Sequence, residues 1–174
     1  MSNQPRHILI VDDELESLQA HIDQAKQAGF DVSLMRSTDE AIHEFLRGDT
    51  RRFDVIVLDM MIPPPEENPD SIDVWDGLRS GGHLLAILRD RDDQVPVLLL
   101  SNLAEDEIEL EAWDRFEDWR SQHGHPMPDA RNSEMVREML RQHFRTWIRA
   151  KRRTPPWHFP KVLEEMLSCL KASL

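Results

Sequence analysis

Val55-Ile-Val-Leu-Asp-Met-Met-Ile-Pro63 decides how this chain is read. Four apolar residues, three of them β-branched, run straight into Asp59, and the run is broken by proline four residues later. A strand covered on both faces shows no polar alternation, so an unbroken apolar run ending on a carboxylate reads as a central parallel strand. Two further stretches share the pattern. Upstream, Ile8-Leu-Ile-Val-Asp-Asp-Glu14 ends on acids; downstream, Val95-Pro-Val-Leu-Leu-Leu-Ser101 ends on a hydroxyl.

Working outward from these runs, strands and helices alternate over the first hundred residues. The spacing predicts strands over His7–Val11, Phe30–Met35, Phe53–Leu58 and Val95–Leu100. A helix carries Leu15, Leu18, Ile22 and Ala25 and closes at Gly29. A second, capped by Ser37 or Thr38, carries Ala41, Ile42, Phe45 and Leu46 and stops at Gly48. A third holds Leu84, Leu85 and Leu88. Such alternation implies an α/β chain whose parallel sheet is covered on both faces.

Two stretches break the rhythm. Pro63 to Ser80 is proline-rich and acidic, with Trp75, and is longer than an ordinary loop. Residues 104–146 read as two helices around the turn His123-Gly-His-Pro-Met-Pro. One carries the stripe Ile108, Ala112, Trp113, Phe116 and Trp119; the other carries Met135, Val136, Met139, Leu140 and Phe144. The first is acidic, with eight acids between Glu105 and Asp118, and Arg131 to Arg153 carries eight bases. That complementarity predicts a hairpin with the tryptophans in its seam. Thr146 to Lys151 reads as a fifth strand, although Arg137, Arg141, Arg145 and Arg149 recur every four residues and also fit one helix running to 149. A final helix holds Val162, Leu163, Met166, Leu167 and Leu170, with Cys169 read as packing.

In a parallel α/β sheet, function gathers at the carboxyl ends of the strands. Those ends carry Asp12 and Asp13, Asp59, Ser101 and Lys151. Three converging carboxylates repel one another unless a cation joins them, and an oxygen-only donor set points to Mg²⁺ rather than zinc. A carboxylate beside Mg²⁺ is also a nucleophile toward phosphorus, giving an aspartyl phosphate. His123 and His125 lack a third metal ligand and read as a solvated turn.

Composition narrows the classes. The chain has 174 residues and a formal charge of −12, which disfavours nucleic acid and anionic membranes. No run approaches the ~20 apolar residues of a membrane span, and no signal peptide is visible at the start. A single cysteine among 174 residues excludes an internal disulfide and fits a reducing, cytoplasmic setting.

The three quoted runs together resemble the response-regulator receiver domain, over residues 7–101 closely and 146–172 loosely. The resemblance implies a flavodoxin-like, doubly wound, five-stranded parallel sheet with helices on both faces. To this it adds insertions at about 64–80 and 104–146, within a single domain over 1–174 with no output domain. It implies that Asp59 accepts a phosphoryl group from a histidine kinase or phosphotransfer protein. Asp13, Asp59 and the Met61 backbone carbonyl would bind Mg²⁺, with Asp12 assisting through water. Ser101 would be the switch hydroxyl, Lys151 the phosphoryl-binding cation, and Trp147 the aromatic residue near strand five. The expected product is a stand-alone, non-enzymatic regulator that acts on a downstream target protein, with a homodimer through the face from strand four to the closing helix. The alternative is a phosphorylation-independent interaction module on the same fold. An aspartate-nucleophile phosphatase is disfavoured because Met61 stands where its general acid would be. A nucleotide-binding reading lacks a glycine-rich phosphate loop. Lys151 lies 50 positions after Ser101, and Arg152-Arg153-Thr154 separates it from Pro155, where the family commonly places proline directly after the lysine.

Overall fold

The structure, a computed structural model, describes residues 5–66, 80–91, 94–114 and 133–172. Trp75, Phe116, Trp119, His123 and His125 lie outside the described residues, as does most of the first insertion.

Five parallel strands form one sheet: β1 (Arg6–Val11), β2 (Phe30–Met35), β3 (Val55–Leu58), β4 (Val97–Ser101) and β5 (Thr146–Ala150), in the order β2-β1-β3-β4-β5. This is the flavodoxin-like arrangement, with the reversal of strand order falling between β1 and β3. The connections are α1 (Gln19–Gln27, after a 3-10 turn at Leu15–Leu18), α2 (Thr38–Arg47), α3 (Ser80–Asp90), α4 (Glu105–Asp114) and α5 (Ser133–Phe144). The chain closes with α6 (Phe159–Ala172). Ser37 is the cap of α2, its hydroxyl accepting from the Glu40 N–H.

The period of two along each strand divides the core into two layers. Leu9, Val11, Ile56, Leu58, Val97, Leu99 and Ile148 face α2, α3, α4 and α5. Ile8, Ile10, Val55, Val57, Leu98, Leu100 and Trp147 face α1 and α6. Trp147 therefore packs on the α1/α6 layer, and Ile148 is the residue turned toward α4. Trp147, expected as the aromatic residue near strand five, does lie in β5, but parity along the strand turns it to the α1/α6 layer, away from the face that Ile148 shares with α4.

The ambiguity around residue 146 resolves in favour of the strand. Arg145 adopts φ 45°, a left-handed conformation that ends α5, and its N–H still bonds the Arg141 carbonyl at 3.1 Å. Its own carbonyl then accepts from Val97 N–H at 3.0 Å and starts the β5 ladder. The arginine ladder thus crosses from helix into strand. The inserted helices pack as expected: Ile108, Ala112 and Trp113 of α4 join Val136, Leu140 and Phe144 of α5 in one buried cluster. Among the described residues, Arg137 of the arginine ladder bridges the two helices, pairing with Glu109 and with Glu105 at 3.5 Å. Cys169 is exposed, correcting its reading as a packing residue; it sits on the solvent side of the closing helix.

Candidate phosphoryl-accepting site

Asp12 ends β1 and Asp59 ends β3. The two strands are paired in register from Ile8↔Val55 to Val11↔Leu58, which brings the two carboxylates side by side. Ser101 ends β4 opposite Ala150, so Lys151, the next residue, arrives at the same edge. The lysine Nζ donates to Asp12 Oδ2 at 2.7 Å and to Asp59 Oδ2 at 2.6 Å. All three side chains are at least nine-tenths buried. The remaining oxygens are also held: Asp12 Oδ1 accepts from Glu14 N–H at 2.8 Å and Asp59 Oδ1 from Met61 N–H at 3.0 Å. Carboxylate oxygens of Asp12, Asp13 and Asp59 lie within 4.8 Å of one another.

At that separation each like pair repels by about 3.5 kcal/mol for an effective dielectric constant of ~20. Three carboxylates against one ammonium leave two net negative charges, which a divalent cation would balance. The hard, oxygen-only donors suit Mg²⁺. The residues present therefore fit the ion, with Asp13, half-exposed beside the two buried acids, offering the open side. Burial pushes the Asp12 carboxyl above its ordinary range; the Lys151 hydrogen bond opposes this and the Asp59 charge adds to it. Burial likewise raises Asp13. Burial alone would lower Lys151, but the attraction and hydrogen bonds of Asp59 and Asp12 carry it above the ordinary lysine value.

Ser101 is fully buried and its Oγ has no hydrogen-bond partner among the described residues. A buried hydroxyl without a partner is a costly group and a candidate for a ligand that arrives later. Gly81 closes the floor of the site. A Cβ there would lie 2.6 Å from Met60 Cα and 2.9 Å from the Asp59 carbonyl carbon, so only glycine lets α3 start against the strand end. Its N–H donates to the Met60 carbonyl at 3.3 Å. Pro63 is tied down from the other side, its carbonyl accepting from Thr38 Oγ1.

The structure thus unites the sequence-derived Asp12, Asp13, Asp59, Ser101 and Lys151 at one sheet edge. An open cleft of about 710 Å³ at the opposite, amino-terminal end of the strands, lined by Asp49, Arg51, Phe53 and Arg91, shares none of these residues. Sequence reasoning passed over Glu105, whose carboxylate accepts from Ala150 N–H at 3.3 Å. It also passed over His21, which bonds the Thr154 carbonyl at 2.7 Å. Neither carries a local signal, because each partner is distant in sequence.

Solved structures share this architecture across nearly the whole chain. The receiver domain of a Francisella response regulator matches with a TM-score of 0.58 at 19% identity, covering 95% of this chain and 98% of that one. This chain has the receiver-domain fold. A CheY-like receiver domain protein from Methanospirillum hungatei JF-1 matches at 0.60 and 15% identity, covering 98% and 99%. A BeF3-activated DrrB receiver domain matches at 0.53 and 19% identity, covering 94% and 98%. No family model and no curated protein matches the sequence. The three acids, the hydroxyl and the lysine stand at the strand ends, as the spacing of the apolar runs predicts. Among the described residues no helix is long and apolar enough to cross a membrane.

Proposed function

We propose that this chain is a phospho-accepting response regulator, which takes a phosphoryl group on Asp59 from a histidine kinase or phosphotransfer protein. It then signals in the cytoplasm through contact with a downstream protein. The observation that carries this reading is Lys151 lodged between Asp12 and Asp59, 139 and 92 residues away in sequence. A solvated basic turn has no reason to send its lysine into a buried acid pair.

The chemistry follows from these positions. A carboxylate oxygen of Asp59 attacks the phosphorus of a phosphohistidine; the P–O bond forms, the P–N bond breaks, and the imidazole nitrogen leaves with the electron pair. Bound Mg²⁺, held by Asp13, Asp59 and the Met61 carbonyl with Asp12 behind, would supply the positive charge that offsets the incoming oxygens. Lys151 stays with the acceptor and pairs with a phosphoryl oxygen in place of one carboxylate contact. The Ser101 hydroxyl, without a partner before transfer, donates to another. Phosphorylation adds about −1.5 to −2 charges at this edge, and the Ser101 and Lys151 contacts bias the β4–α4 and β5 segments between two arrangements. Met61 stands where an aspartate-nucleophile phosphatase would carry its general acid, which supports a regulator over an enzyme.

Incubation with Mg²⁺ and acetyl phosphate tests the reading. One phosphoryl group should be added to the wild-type chain and none to Asp59→Asn. Labelling that persists in Asp59→Asn moves the acceptor to another residue and overturns the assignment of Asp59; a wild type that takes no label overturns the reading in favour of a phosphorylation-independent interaction module.

A further inference from the structure

We propose that His21 is a positioning residue for Lys151, clipping the far end of the turn that carries the lysine to the helix that follows the acid pair. The proposal rests on the reading of Lys151 as the phosphoryl-binding cation.

Lys151 is the first residue after an edge strand and opens a 3-10 turn, Lys151–Arg153. The near end of this segment is fixed twice: Ala150 sits in register with Ser101, and its N–H donates to Glu105 Oε1 at 3.3 Å. Glu105 is itself anchored by Arg137 and Arg153, at 3.5 and 3.9 Å. At the far end Arg152 and Arg153 are exposed and make no apolar anchor, and the chain turns inward at Thr154, which is buried. There the Thr154 N–H closes the turn on the Lys151 carbonyl at 3.1 Å, and the Thr154 carbonyl accepts from His21 Nε2 at 2.7 Å. A carbonyl acceptor requires the hydrogen on Nε2. His21 Nδ1 is buried without a partner, so the ring spends its one donor on this contact.

His21 is only 8% exposed, on the inner side of α1, and stands edge-on to the buried Phe159 ring, with centroids 5.5 Å apart at 79°. The imidazole is therefore packed against the core as well as hydrogen-bonded. Since α1 follows Asp12 and Asp13 after one short turn, the clip ties the lysine turn to the same chain segment that supplies two of the acids. A lysine stem has several rotatable bonds, and holding its ammonium between two carboxylates requires a backbone that does not drift.

The test reads the lysine itself. Acetic anhydride at trace concentration acylates amines by accessibility, and mass spectrometry reports each lysine separately, with exposed Lys26 and Lys161 as internal references. Lys151, whose side chain is 8% exposed, should react slowly in the wild type. His21→Ala should raise its rate about fivefold, the factor expected when one buried hydrogen bond is lost. His21→Gln, whose amide nitrogen reaches the same carbonyl, should restore protection. Val162→Ala, in the same core layer, controls for a general loss of stability and should leave Lys151 protected. Equal rates in His21→Ala and Val162→Ala, or no rescue by glutamine, overturn the proposal. In the companion assay with acetyl phosphate and Mg²⁺, His21→Ala should slow labelling of Asp59 yet add nothing in a Lys151→Met background. If the wild type takes no label at all, it is the phospho-acceptor reading that fails, while the acylation result still decides the role of His21.

Discussion

Lys151→Met is the substitution whose cost the structure defines most sharply. Methionine keeps most of the buried stem and deletes only the ammonium, so apolar packing is nearly conserved. What is left is a pair of buried carboxylates, Asp12 and Asp59, 1% and 5% exposed, each with one oxygen that has lost its donor. Removing one partner from a buried charge cluster costs about 3–5 kcal/mol, because the remaining charges stay desolvated and unpaired. Against a total stability of about 5–15 kcal/mol this is a large share. Urea denaturation in EDTA should show the loss as a lower midpoint at unchanged slope. Mg²⁺ at about 100 times its dissociation constant should return about 2.7 kcal/mol, since a ligand bound only by the folded chain stabilises by mass action. The acid limb follows from the pKa directions. Asp12 already lies above its ordinary value when folded, and without Lys151 it rises further. The folded state then binds a proton that the unfolded chain releases, so stability falls as pH rises from the unfolded to the folded value. The deficit of Lys151→Met should therefore shrink as pH is lowered toward the ordinary carboxylate range. At the alkaline end the raised Lys151 of the wild type contributes stability present below the ordinary lysine value and lost as pH rises through the folded value, a loss the mutant cannot show. A deficit under about 1 kcal/mol in EDTA, insensitive to Mg²⁺ and to pH, is the behaviour of a solvated ion pair and would refute a lysine held inside the site.

Three further outcomes follow from named contacts. Trp113→Ala, emptying a side chain 1% exposed in the α4/α5 seam, should cost about 3–5 kcal/mol in denaturant melts, and Arg141→Ala no more than about 0.5; the reverse order excludes an apolar seam. Gly81→Ala would stabilise an ordinary helix by up to about 1 kcal/mol, but here its Cβ meets the Asp59–Met60 backbone, so both stability and Asp59 labelling should fall. By the resemblance to receiver domains, the side chains two places after the acceptor and two places after the switch position the hydrolytic water, and here they are Met61 and Leu103, neither of which hydrogen-bonds a water strongly; Met61→Glu should speed loss of the phosphoryl group from Asp59, measured as decay of labelled protein, and an unchanged decay would mean that another group places the water.

Much of this architecture was legible because it is written locally. The runs ending in Asp12, Asp59 and Ser101 are buried parallel strands whose continuous apolar character needs no partner to be recognised, and the topology rule then sends their last residues to one edge. The oxygen-only donor set followed from residue types alone. The inserted hairpin was visible in its two stripes and opposite charges, although Glu109, a buried acid inside the apolar stripe, was not; burial raises its carboxyl even with Arg137 beside it.

The fifth strand is a different case. Arginines spaced by four and apolar residues spaced for either period leave 146–150 readable as helix or strand. Only the ladder to β4 and the left-handed Arg145 choose between them, and with that choice comes Lys151 at the acid pair. The facing of Trp147, the exposure of Cys169 and the reach of His21 to Thr154, 133 residues away, belong to the same class. Sequence determines what each segment prefers, because strand burial and helix caps are short-range. Which distant side chains meet, and so which lysine serves which carboxylate, is set by packing energies that exist only once the sheet has closed.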